Sequence, residues 1–291
     1  MTYAGVELGG TKCVVLLAEG LTRVLEREVH PTGAPAETLG AIEATLLRWQ
    51  HDHPLQSVGI ASFGPLDLQQ GSRTYGYIHA MQKPGWDSVD LLGALTRSLS
   101  VQVALDTDVN GAALAEMRWG AGRGMTDFAY ITVGTGVGVG LIVDGKPIRG
   151  FGHCELGHIR VARLNGEDWP GSCPFHSDCV EGMASGAMLR ERFGNEVDAL
   201  EPDHPVWESV VWTLAQLCQA IVLAAAPRRI VIGGGVMTAQ PHLVPRIDDA
   251  LNRSLNNYVS LPGDRPYVRA PDLGSDAGPL GAIALAMTAS S

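Results

Sequence analysis

Asp108 sits in the run Val101-Gln-Val-Ala-Leu-Asp-Thr-Asp-Val-Asn110, an apolar strand that breaks into carboxylates before the helix-like Gly111-Ala-Ala-Leu-Ala-Glu-Met117. The carboxyl ends of strands are where α/β sheets present their chemistry. Three glycine-rich turns also follow apolar strands: Gly9-Gly10-Thr11-Lys12, Gly134-Thr135-Gly136-Val137-Gly138 and Gly233-Gly234-Gly235. Backbone N–H groups in such turns form anion-binding concavities, and glycine lets the backbone come close to the anion. One acid beside three such turns points to phosphoryl transfer. Asp106 is the rival base, and only one of the two aspartates is expected to face the reacting groups. Taken alone, Asp108 beside Asn110 also reads as a helix N-cap. Lys12 is either a phosphate contact or a solvated strand-end cation.

The densest chemistry lies in residues 153–181, with His153-Cys-Glu-Leu-Gly-His158 followed by Cys173-Pro-Phe-His176-Ser-Asp-Cys179-Val-Glu181. Cys173, His176 and Cys179 place three ligands on one short loop. Zinc takes four such groups in a tetrahedron, and His158 is the natural fourth, with His153 and Cys154 as alternatives. Four protein ligands leave no open position, so the metal would be structural. Glu155, three residues before His158, is then held where it can grip hydroxyl groups. Glu181 leads a helical stretch running to Arg190, where it is either a polar site group or an N-terminal helix charge.

These groups need positioning elements. Tyr3 to Leu17 reads as a hairpin pivoting on Gly9-Gly10, Pro35 to Gln50 as an amphipathic helix, and Val58 to Ser62 as a strand ending at Phe63-Gly64-Pro65. A helix over Leu91–Leu99 leads to the strand carrying Asp106 and Asp108, and a helix over 111–119 follows. Phe128 to Val143 reads as strand, glycine loop and strand, closed by the turn Asp144-Gly145. A long helix over Pro205–Ala226, with Val210, Leu214, Leu217 and Ile221 on its core stripe, feeds the strand Arg229–Ile232. The last helix covers about Gly278 to Ala289. The turns near residues 9 and 134 look like counterparts, so two lobes built on the same hairpin are expected. The expected division is an N-terminal α/β lobe over 1–117, completed by a C-terminal helix over 276–291, and a second α/β lobe over 118–275 with the zinc loop 153–181.

Composition narrows the class. At 291 residues, 45% hydrophobic and 18% charged, the chain is a folded protein of ordinary size, not a disordered one. A formal net charge of −10 argues against nucleic acid or an anionic membrane as partner. No stretch approaches about 18 uninterrupted apolar residues, and the N-terminus lacks a secretory layout, so a cytoplasmic protein is expected. Five scattered cysteines do not suggest a disulfide framework, and Cys13 and Cys218 read as buried. A P-loop is absent, and Gly233-Gly-Gly-Val-Met lacks the dinucleotide spacing.

Together these stretches resemble the ROK family (repressor, open reading frame, kinase), most closely its bacterial fructokinase branch. The matching stretches are Glu7-Leu-Gly-Gly-Thr-Lys12, Ser62-Phe-Gly-Pro-Leu-Asp67, Asp106-Thr-Asp-Val-Asn-Gly-Ala-Ala-Leu-Ala-Glu116, Ile131-Thr-Val-Gly-Thr-Gly-Val-Gly138, Glu155-Leu-Gly-His158, Cys173-Pro-Phe-His-Ser-Asp-Cys179 and Ile230-Val-Ile-Gly-Gly-Gly-Val236. The resemblance implies the two-lobed actin-like, hexokinase-like ATPase fold, which is ribonuclease H-like, with sugar and ATP meeting in its cleft. It implies Asp108 as general base toward the 6-hydroxyl of a hexose, fructose above all. Gly64, Pro65, Glu155, His158 and Glu181 would contact sugar. Gly9, Gly10, Thr11, Lys12, Gly134, Thr135, Gly136, Gly234 and Gly235 would border ATP, which Mg²⁺ accompanies. His158, Cys173, His176 and Cys179 would hold zinc, and a homodimer is expected. Glu7 stands where many relatives carry Asp, and Thr107 where many carry Asn.

Two other readings stand beside this one. A mannose, glucose or N-acetylhexosamine kinase would share the same build. A sugar-responsive transcriptional regulator would carry a winged-helix segment before the first glycine turn, and that turn begins here at residue 9.

Overall fold

The computed structural model describes residues 1–20, 23–263 and 266–289. Residues 290 and 291 of the expected C-terminal helix lie outside that range. The chain forms two compact units: Met1–Trp119 with Pro147–His153 and Asp276–Ser291, and Gly120–Lys146 with Cys154–Ser275.

In the first unit, β1 (Thr2–Leu8) and β2 (Lys12–Glu19) form the expected hairpin, and β3 (Arg23–Pro31) extends it. Helix α1 (Pro35–Asp52) leads to β4 (Leu55–Ser62), which pairs parallel to β1. A small hairpin of β5 (Tyr77–His79) and β6 (Asp87–Asp90) precedes α2 (Leu91–Thr96), β7 (Gln102–Thr107) and α3 (Asp108–Trp119). The mixed five-stranded sheet has the order β3-β2-β1-β4-β7. Residues such as Val6, Val15, Ile60, Ile42 and Trp49 are fully buried in its core.

The second unit repeats the plan. Strands β8 (Phe128–Val133) and β9 (Val137–Val143) form a hairpin, and the turn Asp144-Gly145, with both φ angles positive, leads to β10 (Lys146–Pro147). Then come α4 (Val180–Ala184), α5 (Gly186–Phe193), α6 (Val206–Ala225), β11 (Ile230–Gly233), α7 (Gly235–Ala239), α8 (Leu243–Leu255) and β12 (Val268–Arg269). The sheet order is β10-β9-β8-β11-β12. Numbered within its own five-stranded sheet, each set of strands therefore runs third, second, first, fourth, fifth, as the paired glycine turns suggested. By length and composition α6 could cross a membrane, but Val210, Leu214, Leu217 and Ile221 along it are fully buried in the core of this unit.

Two local expectations need correction. The strand expected to carry both Asp106 and Asp108 stops at Thr107, and Asp108 is the first residue of α3. The helix expected from Glu181 to Arg190 is broken at Ser185, whose backbone is extended at ψ 162. Its side chain accepts a hydrogen bond from the Met188 N–H at 3.1 Å, capping α5 as a fresh helix.

The closing helix α9 (Ala277–Ala289) seats its backbone directly on the first sheet. A Cβ placed on Gly59 would lie 1.9 Å from the Ala282 carbonyl oxygen, and the Ser57 hydroxyl donates to the Ala286 carbonyl at 2.6 Å. Helices α3 and α9 touch in the same way at Gly111 and Gly281. No side chain fits at these contacts. Gly59→Ala is therefore expected to destabilise the protein by about 1–3 kcal/mol or more, through overpacking that only a backbone shift can relieve. Urea unfolding checks this, with Gly10→Ala as the control, because nothing lies within 4 Å of a Cβ built at Gly10.

Candidate functional site

Parallel pairing aligns three strand ends in the first unit. Leu8 of β1 pairs with Ser62 of β4, which pairs with Thr107 of β7. The next residues are the Gly9-Gly10-Thr11 turn, Phe63-Gly64-Pro65 and Asp108, so one sheet edge carries all three.

Asp108 and Asp106 are separated by the end of the strand rather than by strand alternation, which would put residues two apart on one face. Asp106 is buried and committed. It accepts from Asn110 Nδ2 and the Thr107 N–H, both at 2.8 Å, and pairs with Arg149 at 2.5 Å. Burial pushes its carboxyl up, and the guanidinium and hydrogen bonds partly offset this. Thr107, not Asp108, caps α3 by accepting the Asn110 N–H at 3.2 Å. Asp108, half-buried, accepts the Val109 N–H at 2.8 Å, and burial lifts its carboxyl to about 6. Glu7 on β1 is lifted further, to about 7, first by burial and then by the negative charge of Asp108. Gly278 makes room for it, since a Cβ there would lie 1.9 Å from Glu7 Oε1. Both raised carboxyls favour the folded state at low pH, and that contribution fades as the pH rises through 6 to 7. The crowding of Glu7 with Asp108 and Asp276 suits a hard, oxygen-seeking cation.

Among the described residues no acceptor takes the N–H of Gly10 or Thr11, so the first turn presents free donors. Gly9 closes it by donating to the Lys12 carbonyl at 3.0 Å, and the Thr32 hydroxyl donates to the Gly9 carbonyl at 2.8 Å. Thr11 and Lys12 are exposed. Gly64-Pro65 is a cis peptide. His153 packs on this loop, its Nε2 accepting the Leu66 N–H at 2.9 Å. His153 is not part of the cluster formed by His158, Cys173, His176 and Cys179.

In the second unit the Gly134-Thr135-Gly136 turn is braced from behind. Gly186 and Ala187 donate to the carbonyls of Gly134 and Thr135 at 2.7 and 3.1 Å. Glu181 Oε2 accepts the Val137 N–H at 3.0 Å and would meet a Cβ on Gly136 at 2.4 Å. Its other oxygen lies 4.0 Å from His158 Nε2. Gly157 allows the Glu155–His158 turn to press on β9, since a Cβ there would lie 1.9 Å from the Val137 carbonyl. Glu155 is exposed on that turn. Gly234, at φ +96, lies against the Val133 backbone, while Gly235 opens α7 with free space around it.

His158, Cys173, His176 and Cys179 bring one ligand atom each within 4.8 Å of one another. His158 Nδ1 is 3.6 Å from both sulfurs, and His176 Nδ1 is 3.7 Å from Cys173. Zn–S and Zn–N bonds at a tetrahedral angle put sulfur and nitrogen about 3.6 Å apart, so donor set and spacing both fit zinc. Cys154, the other alternative, is outside this cluster. Arg149 as the partner of Asp106, and the coupling of Glu7 to Asp108, were not foreseen. Arg149 lies 43 residues from Asp106, beyond any local sequence signal.

Residues 3–289 match the ROK family. Over 292 residues the chain is 38% identical to the fructokinase of Zymomonas mobilis subsp. mobilis, covering 99% of this chain and 97% of that protein. It is 36% identical to the fructokinase of Pediococcus pentosaceus, covering 99% of each. Among solved structures, the ROK hexokinase from Thermus thermophilus superposes with a TM-score of 0.80 at 26% identity, covering 99% of this chain and 98% of that one.

Protein purified without added metal should carry about one zinc per chain, and Cys179→Ser should lower both zinc content and thermal stability, because ligand binding is coupled to folding. Elemental analysis and thermal denaturation check this. A folded preparation without zinc would contradict it.

Proposed function

The chain belongs to the ROK family, and from that premise we propose that it is an ATP-dependent hexose kinase that converts fructose to fructose 6-phosphate. The observation that carries this reading is identity of 36–38% to proteins named fructokinase along almost the whole chain. The repeated strand order of the two units supports the actin-like, ribonuclease H-like ATPase fold.

In this reading the 6-hydroxyl of fructose gives its proton to the Asp108 carboxylate while its oxygen forms a bond to the γ-phosphorus. The bond from that phosphorus to the β–γ bridging oxygen breaks, and ADP leaves. Asp108 suits the work because burial holds its carboxyl near 6, close to the pH at which a general base operates best. Asp106, tied to Arg149 and Asn110, holds the strand end rather than the proton. The free N–H groups of Gly10 and Thr11 hold phosphate oxygens, and the turn of Gly134, Thr135 and Gly136 does the same in the second unit. Gly234 and Gly235 border the adenosine. Mg²⁺, held by Glu7, would neutralise charge on the β- and γ-phosphates. Gly64, Pro65, Glu155, His158 and Glu181 are the sugar contacts that the family resemblance implies. Zinc at His158, Cys173, His176 and Cys179 would fix the loop that carries Glu155 and His158. The free thiols suit a reducing cytoplasm, and a homodimer is what the family resemblance implies.

A coupled ADP-release assay with MgATP over fructose, mannose, glucose and N-acetylhexosamines tests the reading. Fructose should give the highest kcat/KM. That value should fall as the pH drops through about 6, because the base must be ionised to accept a proton. Preference for another hexose would overturn the substrate, and no turnover of any hexose would overturn the activity.

A further inference from the structure

One cation near the first glycine turn is unaccounted for. Lys83 lies on the connection between β5 and β6, and its backbone is fixed there: its N–H donates to the Ala80 carbonyl and its carbonyl accepts the Trp86 N–H, both at 3.0 Å. Trp86 is wholly buried and donates through Nε1 to the Gly33 carbonyl at 2.9 Å. Phe63 stands edge-on to Trp86 with ring centroids 5.2 Å apart. From this anchored base the Lys83 ammonium reaches 5.6 Å from the Phe63 ring centroid and donates to the Gly10 carbonyl at 2.5 Å.

An ammonium has three donors. One is spent on Gly10, the aromatic face satisfies a second direction, and among the described residues no carboxylate pairs with Lys83. Burial alone acts on its charge, and it weakens the protonated form. A cation held at partial desolvation without an anion marks a place where an anion is expected to come. Among the described residues its hydrogen-bond partner is the carbonyl of Gly10, and no acceptor takes the N–H of Gly10 or Thr11. The ammonium therefore sits against this turn, across the Gly10–Thr11 peptide from the Thr11 N–H, so it meets a neighbouring part of a bound anion rather than the oxygen that N–H takes, next to the strand end that carries Asp108.

Resting on the kinase reading, we propose that Lys83 is a phosphate-contacting residue that neutralises charge on the polyphosphate held at the Gly9-Gly10-Thr11 turn. Phosphoryl transfer depends mainly on positioning and charge neutralisation, so the ammonium acts on ATP and not on the sugar. Lys12, the turn's other lysine, is exposed at the start of β2 and has no such anchorage.

The test compares wild type, Lys83→Met and Lys83→Arg for kcat, both KM values, Tm, and the dependence of kcat/KM for ATP on ionic strength. Lys83→Met should lose at least about tenfold in kcat/KM for ATP, with the KM for fructose and Tm nearly unchanged. Its response to salt should be flatter than that of wild type, since a screened charge contact has been removed. Lys83→Arg should recover much of the loss. Values for Lys83→Met within twofold of wild type would overturn the proposal. So would a lowered Tm with a salt response parallel to wild type, which would make Lys83 a prop for the turn. Absence of wild-type turnover would instead defeat the kinase reading, and the ratio between variants is judged only against an active wild type.

Discussion

The first unit is organised by a backbone-on-backbone contact. Helix α9 lies so close to β4 that Gly59 has no space for a side chain. The same helix meets α3 where Gly111 faces Gly281, and near its start Gly278 leaves room for Glu7. These contacts set where α3 begins relative to the sheet, and hence where Asp108 stands. They also bury Glu7 near Asp108: burial lifts both carboxyls above their ordinary range, and the charge of Asp108 lifts Glu7 further. Desolvating two neighbouring acids costs stability at neutral pH. The tight apolar packing of Val14, Leu16, Ile283 and Met287 around the helix offsets it.

The second unit solves a different problem. Its glycine turn is held from the sheet side by Glu181 through the Val137 N–H, and Glu181 in turn lies beside His158. One imidazole thus faces the two sulfurs with Nδ1 and the carboxylate with Nε2. A metal that fixes this ring would fix the carboxylate and, through it, the turn. The Cys and His residues are far in sequence from the turn, so the coupling exists only after folding.

Much of this was legible in the sequence because its signals are local. Glycines after apolar strands announced the hairpins at residues 9 and 134, and the Cys173, His176, Cys179 spacing announced the ligand cluster with His158. The motif order announced the family. What escaped was decided by distant partners. The end of β7 at Thr107 follows from a threonine capping α3, where a strand through Asp108 fitted composition equally well. The break at Ser185 follows from its cap and from the Gly134 carbonyl receiving the Gly186 N–H. Lys83 lies in Met81-Gln-Lys-Pro-Gly-Trp86, an ordinary loop until Phe63 meets Trp86 edge-on beside it.

The central claim is that Asp108, and not its buried neighbour Asp106, takes the proton from the sugar. The direct measurement is kcat for fructose in purified, folded Asp108→Asn protein, with fructose affinity measured separately by calorimetry. The account predicts a fall in kcat of at least about a hundredfold with sugar binding retained, the usual contribution of a general base. Turnover near the wild-type rate in that variant would contradict it.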